Sequence, residues 1–564
     1  MNMISKMTLF AFLLIFTTVC QAGNGIIPPP SGHPGETRPE LPDYLPEKPG
    51  RGLTLPQPPV QAEPPAGEIS FELKGLIFEG NTIFSDEELG KIAESFLGKP
   101  VTLADLEELR FCLTNFHINH GYINSGAILK PDQNVDAGIV IYLIREGRLD
   151  EVKVTGNGRL QPGYIRKRIN PKPDQAFNIK KLQERFQLLL EDPMIDQMDG
   201  RIHPGVSPGE AVLDLDVTRS RSYELSLTTD NHSSPSTGAE RITAAGSVWN
   251  LTGFGDRLDA SFAHSRGADE ISAGFSIPLN ARNTRISLYY NRDENSVIEE
   301  PLDAIDIESE SETAELNLTH PLIHNLRRKL ELGITLAARE SRTRLLNMPF
   351  SFTKGDVDGR SQVTALRLIQ SYTDRTLYTA LALRSTLSLG IDLFGPTIHA
   401  EDRPDGQFLA WLGQIQYAQR IGERFGQIIL RGDIQIANDN LLSLEQFAVG
   451  GIRTVRGYRE NELVRDNGYV LSAEWRYPLW KQTGKSPEDI LQLAVFTDFG
   501  SSWNEGESSE DENLHSAGLG LLWTPNQHIN AELYMAHDIE EAADKDDWNL
   551  QDDGIHFRVS YNIF

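Results

Sequence analysis

The chain has 564 residues, enough for several domains, and carries 80 Asp and Glu against 53 Lys and Arg, a formal net charge of −27. An excess of negative charge repels the phosphate backbone of nucleic acids, so we expect no nucleic-acid partner. Beyond the first 22 residues, no stretch reaches the roughly 18 consecutive apolar residues that a membrane-spanning helix needs. Residence in a membrane would therefore require strands, and only a closed barrel satisfies the backbone of strands in lipid.

Residues 1–22 predict a secretory signal peptide, because the positive charge at Lys6 precedes an apolar run and a small-residue pattern suited to cleavage. A lipid anchor on Cys20 is the alternative, although Val19 is bulkier than a lipoprotein cleavage site usually tolerates. Cleavage leaves Cys112 as the only cysteine of the mature sequence. We therefore expect no internal disulfide and a buried, inert thiol.

Residues 23–67 predict an extended tether. Prolines recur along this segment, which lacks the apolar residues needed to fold by itself. Their frequency also excludes a long helix, so we expect no helical plug. Whether the tether has a docking role stays open.

Residues 68–147 predict a small β-α-α-β-β unit. Ser85 is a helix N-cap, and Glu88 three residues later completes a capping box. The expected elements are a strand within 70–84, a helix through Phe96, a helix from Leu103 to His120-Gly121, and strands near 127–130 and 138–144.

Residues 148–220 repeat this order. The turn Gly156-Asn157 stands 76 residues after the turn Gly80-Asn81, and a helix at 179–190 and a strand at 211–217 occupy matching places. The two units are therefore predicted to be an internal duplication.

Residues 221–564 change to period-two alternation and predict a transmembrane barrel. Ile428, Leu430 and Ile434 alternate with polar residues, so that one face suits lipid and the other a wet lumen. Sixteen such segments lie near 221–231, 238–251, 256–267, 269–279, 284–295, 311–322, 328–342, 361–374, 375–390, 408–421, 426–439, 467–480, 489–503, 513–524, 527–540 and 554–564. The even count and the final Phe564 suit a barrel, although Phe564 has the opposite parity to the apolar face ending at Ile563, which leaves the last strand's register open.

Two motifs sharpen this interpretation. Val455-Arg456-Gly457-Tyr458 lies in the long stretch between the eleventh and twelfth segments, and Phe496-Thr497-Asp498-Phe499-Gly500 lies on the thirteenth. With two duplicated units ahead of a sixteen-stranded barrel, the chain resembles the two-partner secretion transporters, of haemolysin secretion/activation type, within the POTRA-plus-barrel superfamily. POTRA denotes the small polypeptide-transport-associated domains.

The resemblance implies a mixed fold of two α+β POTRA domains, at 68–147 and 148–220, followed by a sixteen-stranded antiparallel transmembrane β-barrel at 221–564. It places the barrel in the cell outer membrane, and the tether at 23–67 and the POTRA domains in the periplasm. The implied function is secretion of an unfolded partner, a large adhesin, haemolysin or toxin, recognised by the POTRA domains. Further expectations are contacts with outer-membrane lipid, insertion by the barrel-assembly machinery, a monomeric state and no cofactor. A barrel assembly or insertion factor is the alternative.

The resemblance also assigns a role to both motifs. In the superfamily the first motif lies on a loop that folds into the barrel, where Arg456 would pair with Asp498, whose two oxygens can accept a guanidinium fork. Gly457 would permit a tight turn, Tyr458 would pack beside the arginine, and Gly500 would leave room on the wall. Val455 and Phe496 complete the two motifs. The pair would hold the loop in place and catalyse nothing.

Catalytic interpretations find little support, so we expect no enzyme. His117 and His120 have the i,i+3 spacing of a metal pair, but no third ligand accompanies them, and an exposed helix end explains them better. There is no phosphate-binding loop and no nucleophile elbow. Export would then proceed without ATP, with strand addition at 127–130 or 211–217 as the capture step.

Overall fold

The computed structural model describes residues 33, 37–45, 52–54, 70–400, 403–422, 424–482, 489–506, 512–540 and 547–563. The predicted signal peptide, most of the proline-rich segment and Phe564 lie outside the described residues, as do 23–32 and 55–66, where no helical plug was expected. No helix among the described residues is long and apolar enough to cross a membrane.

A two-residue strand, β1 (Leu53–Thr54), precedes the first small domain. That domain contains β2 (Ser70–Glu72), β3 (Gly75–Glu79), α1 (Asp86–Ala93), β4 (Pro100–Thr102), α2 (Leu103–Asn119), β5 (Gly126–Leu129) and β6 (Ile139–Arg145). Its main sheet has the order β3-β6-β5, so β5 is an edge strand as expected for 127–130. The Ser85 side chain accepts from the backbone N–H of Glu88, and the Glu88 carboxylate accepts from that of Ser85. The predicted capping box is therefore confirmed. Cys112 on α2 is only half-buried, not fully buried as expected.

The second small domain repeats the first. It contains β7 (Arg148–Thr155), α3 (Pro162–Ile169), α4 (Ile179–Leu190), β8 (Ile195–Pro204) and β9 (Glu210–Arg219). In the main sheet of the first domain β3 pairs in parallel with β6 and β5 pairs antiparallel with β6, and in the second domain β7 and β8 pair with β9 in the same two ways. The segment 211–217 is therefore central, and the expectation that it is a free edge was wrong. Parallel pairing between distant strands leaves no local sequence signal.

The remaining strands of the chain follow in order. They are β10 (Tyr223–Asp230), β11 (Arg241–Trp249), β12 (Arg257–His264), β13 (Ala268–Pro278), β14 (Arg285–Ser296), β15 (Ile307–His324), β16 (Arg328–Leu345), β17 (Met348–Pro349), β18 (Arg360–Arg375), β19 (Thr379–Gly390), β20 (Leu409–Gly422), β21 (Gly426–Ala437), β22 (Phe447–Val449), β23 (Leu463–Arg465), β24 (Asn467–Lys481), β25 (Asp489–Trp503), β26 (Glu512–Trp523), β27 (Ile529–Asp538) and β28 (Ile555–Asn562). Within the described ranges, sixteen of them form a closed antiparallel barrel, while β17 extends one hairpin and β22 pairs with β23. The predicted sixteen-stranded barrel is confirmed.

Apolar side chains cover the outside of the barrel. Along β21, Leu430, Ile434 and Ile436 are exposed, whereas Asp433 and Gln435 between them are buried towards the lumen. Aromatic side chains are exposed near one end of the wall: Tyr223, Trp475, Trp480, Trp523 and Tyr561. Such a belt marks the lipid–water boundary of a transmembrane barrel.

The barrel closes between β10 and β28. Tyr561 pairs with Leu227 on one side and with Ile529 on the other, which defines the register that the sequence left open. Val559 and Tyr561 face outwards.

The second small domain contacts the same end of the barrel, which we call the near rim; the opposite end is the far rim. Arg168 on α3 stacks on Tyr164 and donates to Asn283 Oδ1 in the turn after β13, at 2.6 Å from Nη2. On the other side, Arg375 Nη2 lies 2.5 and 2.6 Å from the two oxygens of Glu191. The contacts orient the domain beneath the lumen.

Candidate functional site

The long stretch between β21 and β24 folds into the barrel as a loop, residues 440–466. It begins with a short 3-10 helix at Ser443–Glu445 and contains the β22–β23 hairpin. Phe447, Val449 and Val455 of the loop are fully buried, together with Val470 on the wall. These buried apolar side chains hold the loop against the inner face of β24 to β26.

Arg456 at the loop tip is paired with the barrel wall. Its Nε and Nη2 donate to the two oxygens of Asp498 on β25, at 2.7 and 2.8 Å. Nη1 donates to Glu474 Oε2 on β24 at 2.5 Å, and Nη2 also lies 3.3 Å from Ser472 Oγ. The structure thus brings together the arginine and the carboxylate that the two motifs proposed, in the bidentate geometry that only a planar guanidinium allows.

Two aromatic rings cover the guanidinium. The Arg456 carbon Cζ lies 3.5 Å from the ring centre of Phe496 and 5.0 Å from that of Tyr534. Tyr458, which we expected beside the arginine, donates its hydroxyl to the backbone carbonyls of His515 and Glu540. It fixes the loop to strand β26 and the end of β27.

Two glycines of the motifs permit close approach. Gly457 has φ +98°, a conformation that favours glycine, and its N–H donates to His556 Nε2 on β28 at 3.2 Å. A Cβ on Gly500 would lie 2.5 Å from Val449 Cγ1 and 2.7 Å from Val455 Cγ2. Val449 and Val455 of the loop therefore occupy the space that a side chain at position 500 of the wall would need.

Glu474 is a site residue that the sequence analysis missed. Its carboxylate is fully buried and also contacts Arg476 and Arg431, the latter at 3.3 Å. Asp498 and Glu474 together surround Arg456 with two negative charges. Glu474 lies opposite Phe496 in the register of β24 and β25, and this cross-strand neighbourhood could not be predicted from the sequence of β24 alone.

Further ion pairs hold both ends of the loop. Near the far rim, Arg459 lies 2.5 and 2.9 Å from the oxygens of Asp552 and 2.5 Å from Glu299. On the opposite side, buried Glu445 accepts from Arg367 Nη2 at 2.8 and 3.1 Å. The loop therefore spans the lumen between β18 and the loop after β27.

Residues 37–45 of the proline-rich segment also lie inside the barrel. Gln414 and Gln416 on β20 donate their side-chain amides to the backbone oxygens of Thr37 and Pro39, at 3.0 and 2.7 Å. Arg38 Nε lies 2.5 Å from Asp433 Oδ2. This placement corrects the expectation of a wholly periplasmic tether, and we call residues 33 and 37–45 the leader.

The leader runs down the inner wall. His33 contacts the backbone oxygen of Gln446 in the loop, whereas Tyr44 lies under Arg420 and donates to Gln427 near the near rim. Between the loop tip and the leader lies a cavity of about 230 Å³, lined mainly by Arg38, Arg431, Arg453, Arg456, Arg476 and Arg558. The leader and the loop therefore both line this part of the lumen.

The histidine pair of the first domain is structural. His117 is buried, not exposed as we expected, and its ring packs edge-on against Phe84. His117 and His120 each place Nδ1 2.8 Å from a backbone oxygen one turn earlier. Among the described residues, no group of three or more His, Cys, Asp or Glu is arranged to hold a metal ion.

Duplicated α+β domains beneath a sixteen-stranded barrel, with a lumenal loop whose arginine is bound to the wall, define a POTRA-containing outer-membrane barrel. The sequence matches the ShlB-type POTRA domain over residues 71–147. It also matches the family described as haemolysin secretion/activation protein ShlB/FhaC/HecB over residues 209–522. The chain belongs to this family of two-partner secretion-type outer-membrane transporters; its barrel lies in the outer membrane and its POTRA domains lie in the periplasm.

Individual relatives agree in architecture. The heme/hemopexin transporter protein HuxB of Haemophilus influenzae strain 86-028NP is 23% identical over 511 residues, covering 85% of this chain and 86% of HuxB. The outer membrane transporter CdiB of Dickeya dadantii strain 3937 is 23% identical over 443 residues, covering 75% of each chain. The solved structure of CdiB from Escherichia coli superimposes with a TM-score of 0.67 at 20% identity, covering 90% of this chain and 93% of that one. The near rim is therefore periplasmic and the far rim extracellular.

Proposed function

We propose that this chain exports an unfolded partner polypeptide, captured by its POTRA domains in the periplasm, through its barrel and without ATP. The partner is a large secreted protein of adhesin, haemolysin or toxin type. We propose with it the division into a signal peptide at 1–22, a tether at 23–67, POTRA domains at 68–147 and 148–220, and a barrel at 221–564. The barrel acts as a monomer, surrounded by lipid and inserted by the barrel-assembly machinery.

The leader is the observation that carries the proposal. It is an extended polypeptide inside the lumen, and Gln414 and Gln416 bind its backbone oxygens, not its side chains. Contacts to the main chain are the same for every sequence, as a path for a long and varied partner requires. The inner wall therefore has the chemistry to hold an extended chain.

The loop supplies the gate of this path. Arg456 is held by Asp498 and Glu474 in a site from which water is largely excluded, where a polar group left without its partner is costly. We propose that Val455, Arg456, Gly457 and Tyr458, with their wall partners Phe496, Asp498 and Gly500, keep the loop where transport requires it. The energy for net movement comes from folding of the partner outside the cell.

Crosslinking in intact cells tests the path. A photoreactive residue at Gln416 faces the lumen, and the same residue at the adjacent Ile415 faces lipid and is the matched control. We expect position 416 to capture a polypeptide that is also found outside the cell, and position 415 to capture none. Capture of several outer-membrane barrels, with no secreted chain, would favour the alternative of a barrel assembly or insertion factor.

A further inference from the structure

The cavity between the loop tip and the leader has a strongly cationic wall, and we call it the arginine cavity. Of the ten described residues that line it, six are arginines, and Glu532 is the one carboxylate among the ten. The arginines come from three separate parts of the chain: the leader supplies one, the loop two, and strands β21, β24 and β28 three. Positive charges held this close repel each other unless negative charge lies between them.

The carboxylates next to the cavity are shared among the arginines. The single carboxylate of Glu474 contacts three of them, those at positions 431, 456 and 476. Glu532 accepts from Arg558 at 2.6 Å, and Asp433 accepts from Arg38. Most of these contacts lie on the wall of the barrel, so the guanidinium groups are held in place from one side.

Four of the guanidinium groups use only one nitrogen each in hydrogen bonds. Among the described residues, the side chain of Arg38 donates only from Nε, that of Arg431 only from Nη1, and that of Arg476 only from Nε. Arg558 donates only from Nη2. The Nη2 of Arg38 is moreover buried without a partner in the described part of the chain. Because an unsatisfied buried donor is costly, these groups favour an acceptor in the cavity.

The acceptor that fits is a small oxyanion with more than one negative charge. A planar guanidinium presents parallel N–H groups that match the oxygens of a phosphate or a sulfate. A tetrahedral oxyanion has oxygens on all sides, so it can accept from arginines that approach from different directions. The cavity volume of about 230 Å³ is far above the roughly 10–15 Å³ that one water needs, and it leaves room for such an ion.

We propose that the arginine cavity binds a small multivalent oxyanion, of phosphate or sulfate type, that joins the leader, the loop tip and the barrel wall. Arg38 and the three wall arginines supply hydrogen-bond donors. The loop supplies the positive charges of Arg453 and Arg456. Undocking of the loop or departure of the leader removes part of the site, so the ion stabilises the closed lumen by an amount that grows with its concentration.

Direct binding of inorganic phosphate to the full-length protein in detergent tests the site. Titration calorimetry at constant ionic strength, with chloride as the balancing anion, separates a specific site from general screening. We expect one phosphate per chain, and Arg558→Gln should weaken its binding at least about tenfold, because a charged donor is lost. Arg257→Gln is the matched control, since Arg257 is also buried on the lumenal side but donates to Asp259 and Ser247, outside the cavity.

Two further titrations make the test independent of a single barrel variant. Arg38→Gln removes donors from the leader, leaves every barrel strand intact, and should also weaken phosphate binding at least about tenfold. Acetate, which carries one charge, should give no saturable heat at the concentrations where phosphate saturates. No saturable phosphate binding, equal weakening by Arg257→Gln, or acetate binding as tight as that of phosphate would overturn the proposal.

The effect of the ion on the loop is measured with a thiol. Val455 is fully buried in the docked loop, so Val455→Cys in a Cys112→Ser background reacts with a maleimide only when the loop undocks. Phosphate at about ten times its dissociation constant should slow this labelling about tenfold, and less than about twofold in Arg558→Gln at the same concentration. A labelling rate independent of phosphate would overturn the bridging role of the ion. Neither measurement needs an exported partner, so failure of this inference and failure of the proposed function are distinguishable.

Discussion

The strongest single perturbation is the loss of Asp498, which binds Arg456 through two short bonds. Both side chains are almost fully buried, so truncation to alanine leaves a buried arginine with only part of its negative surroundings. Breaking a buried pair by removal of one partner costs roughly 3–5 kcal/mol. Because about 1.4 kcal/mol corresponds to a tenfold change, the docked loop should lose about two to nearly four decades in its docking equilibrium. Glu474, which still contacts Arg456, places the expected loss at the lower end of that range.

A buried thiol reports this equilibrium. Val455 is fully buried in the docked loop, so a cysteine there, in a Cys112→Ser background, reacts with a maleimide only when the loop undocks. Asp498→Ala should raise the labelling rate of Val455→Cys about a hundredfold or more. Asp269→Ala is the matched control. It removes an exposed ion pair with His264 in the hairpin between β12 and β13 and should leave the labelling rate unchanged.

Loss of Arg456 should free the loop as loss of Asp498 does. Arg456→Ala should also raise the labelling rate, and the double variant should be little faster than the faster single variant, because both changes remove the same interaction. Each variant should still insert as a folded barrel but export poorly. Additive effects, or a labelling rate that stays unchanged in Asp498→Ala, would refute a shared lock between loop and wall.

Three further results are expected. Arg459→Ala removes the extracellular anchor, and should raise labelling of the buried thiol less than Arg456→Ala because its site is nearer solvent. Gly500→Val fills the space where the loop packs, so a folded barrel that migrates normally on unheated gels should fail to export, whereas Gly163→Ala, which meets no neighbouring atom, should export normally. Arg38→Ala should loosen the leader and increase channel conductance in planar bilayers, and Asp433→Ala should have the same effect without adding to it.

The barrel was predictable because its signal is local. Apolar and polar residues alternate within each strand of about ten residues, so that β21 can be predicted from its own sequence. The capping box of Ser85 and Glu88 is equally local. The pairing of Arg456 with Asp498 could be predicted only from the resemblance to the family, because 42 residues separate the two in sequence.

Other features have no local signal. Arg38 meets Asp433 across 395 residues of chain, and the leader contains no pattern that distinguishes a lumenal segment from a solvated tether. Glu474 is one of many polar residues facing the lumen, and only the docked loop shows which of them meets Arg456. The central position of 211–217 follows from parallel pairing with β7, which the alternation of a single strand does not reveal.

Export itself is the most direct test of the account. Proteins at the cell surface and in the medium would be compared by mass spectrometry in cells with the chain, without it, and with Arg456→Ala. We expect one large secreted protein to disappear in the second and third cultures while other outer-membrane barrels keep their levels. A joint fall of many barrels, with no secreted protein lost, would contradict the secretion function and identify the chain as an assembly factor.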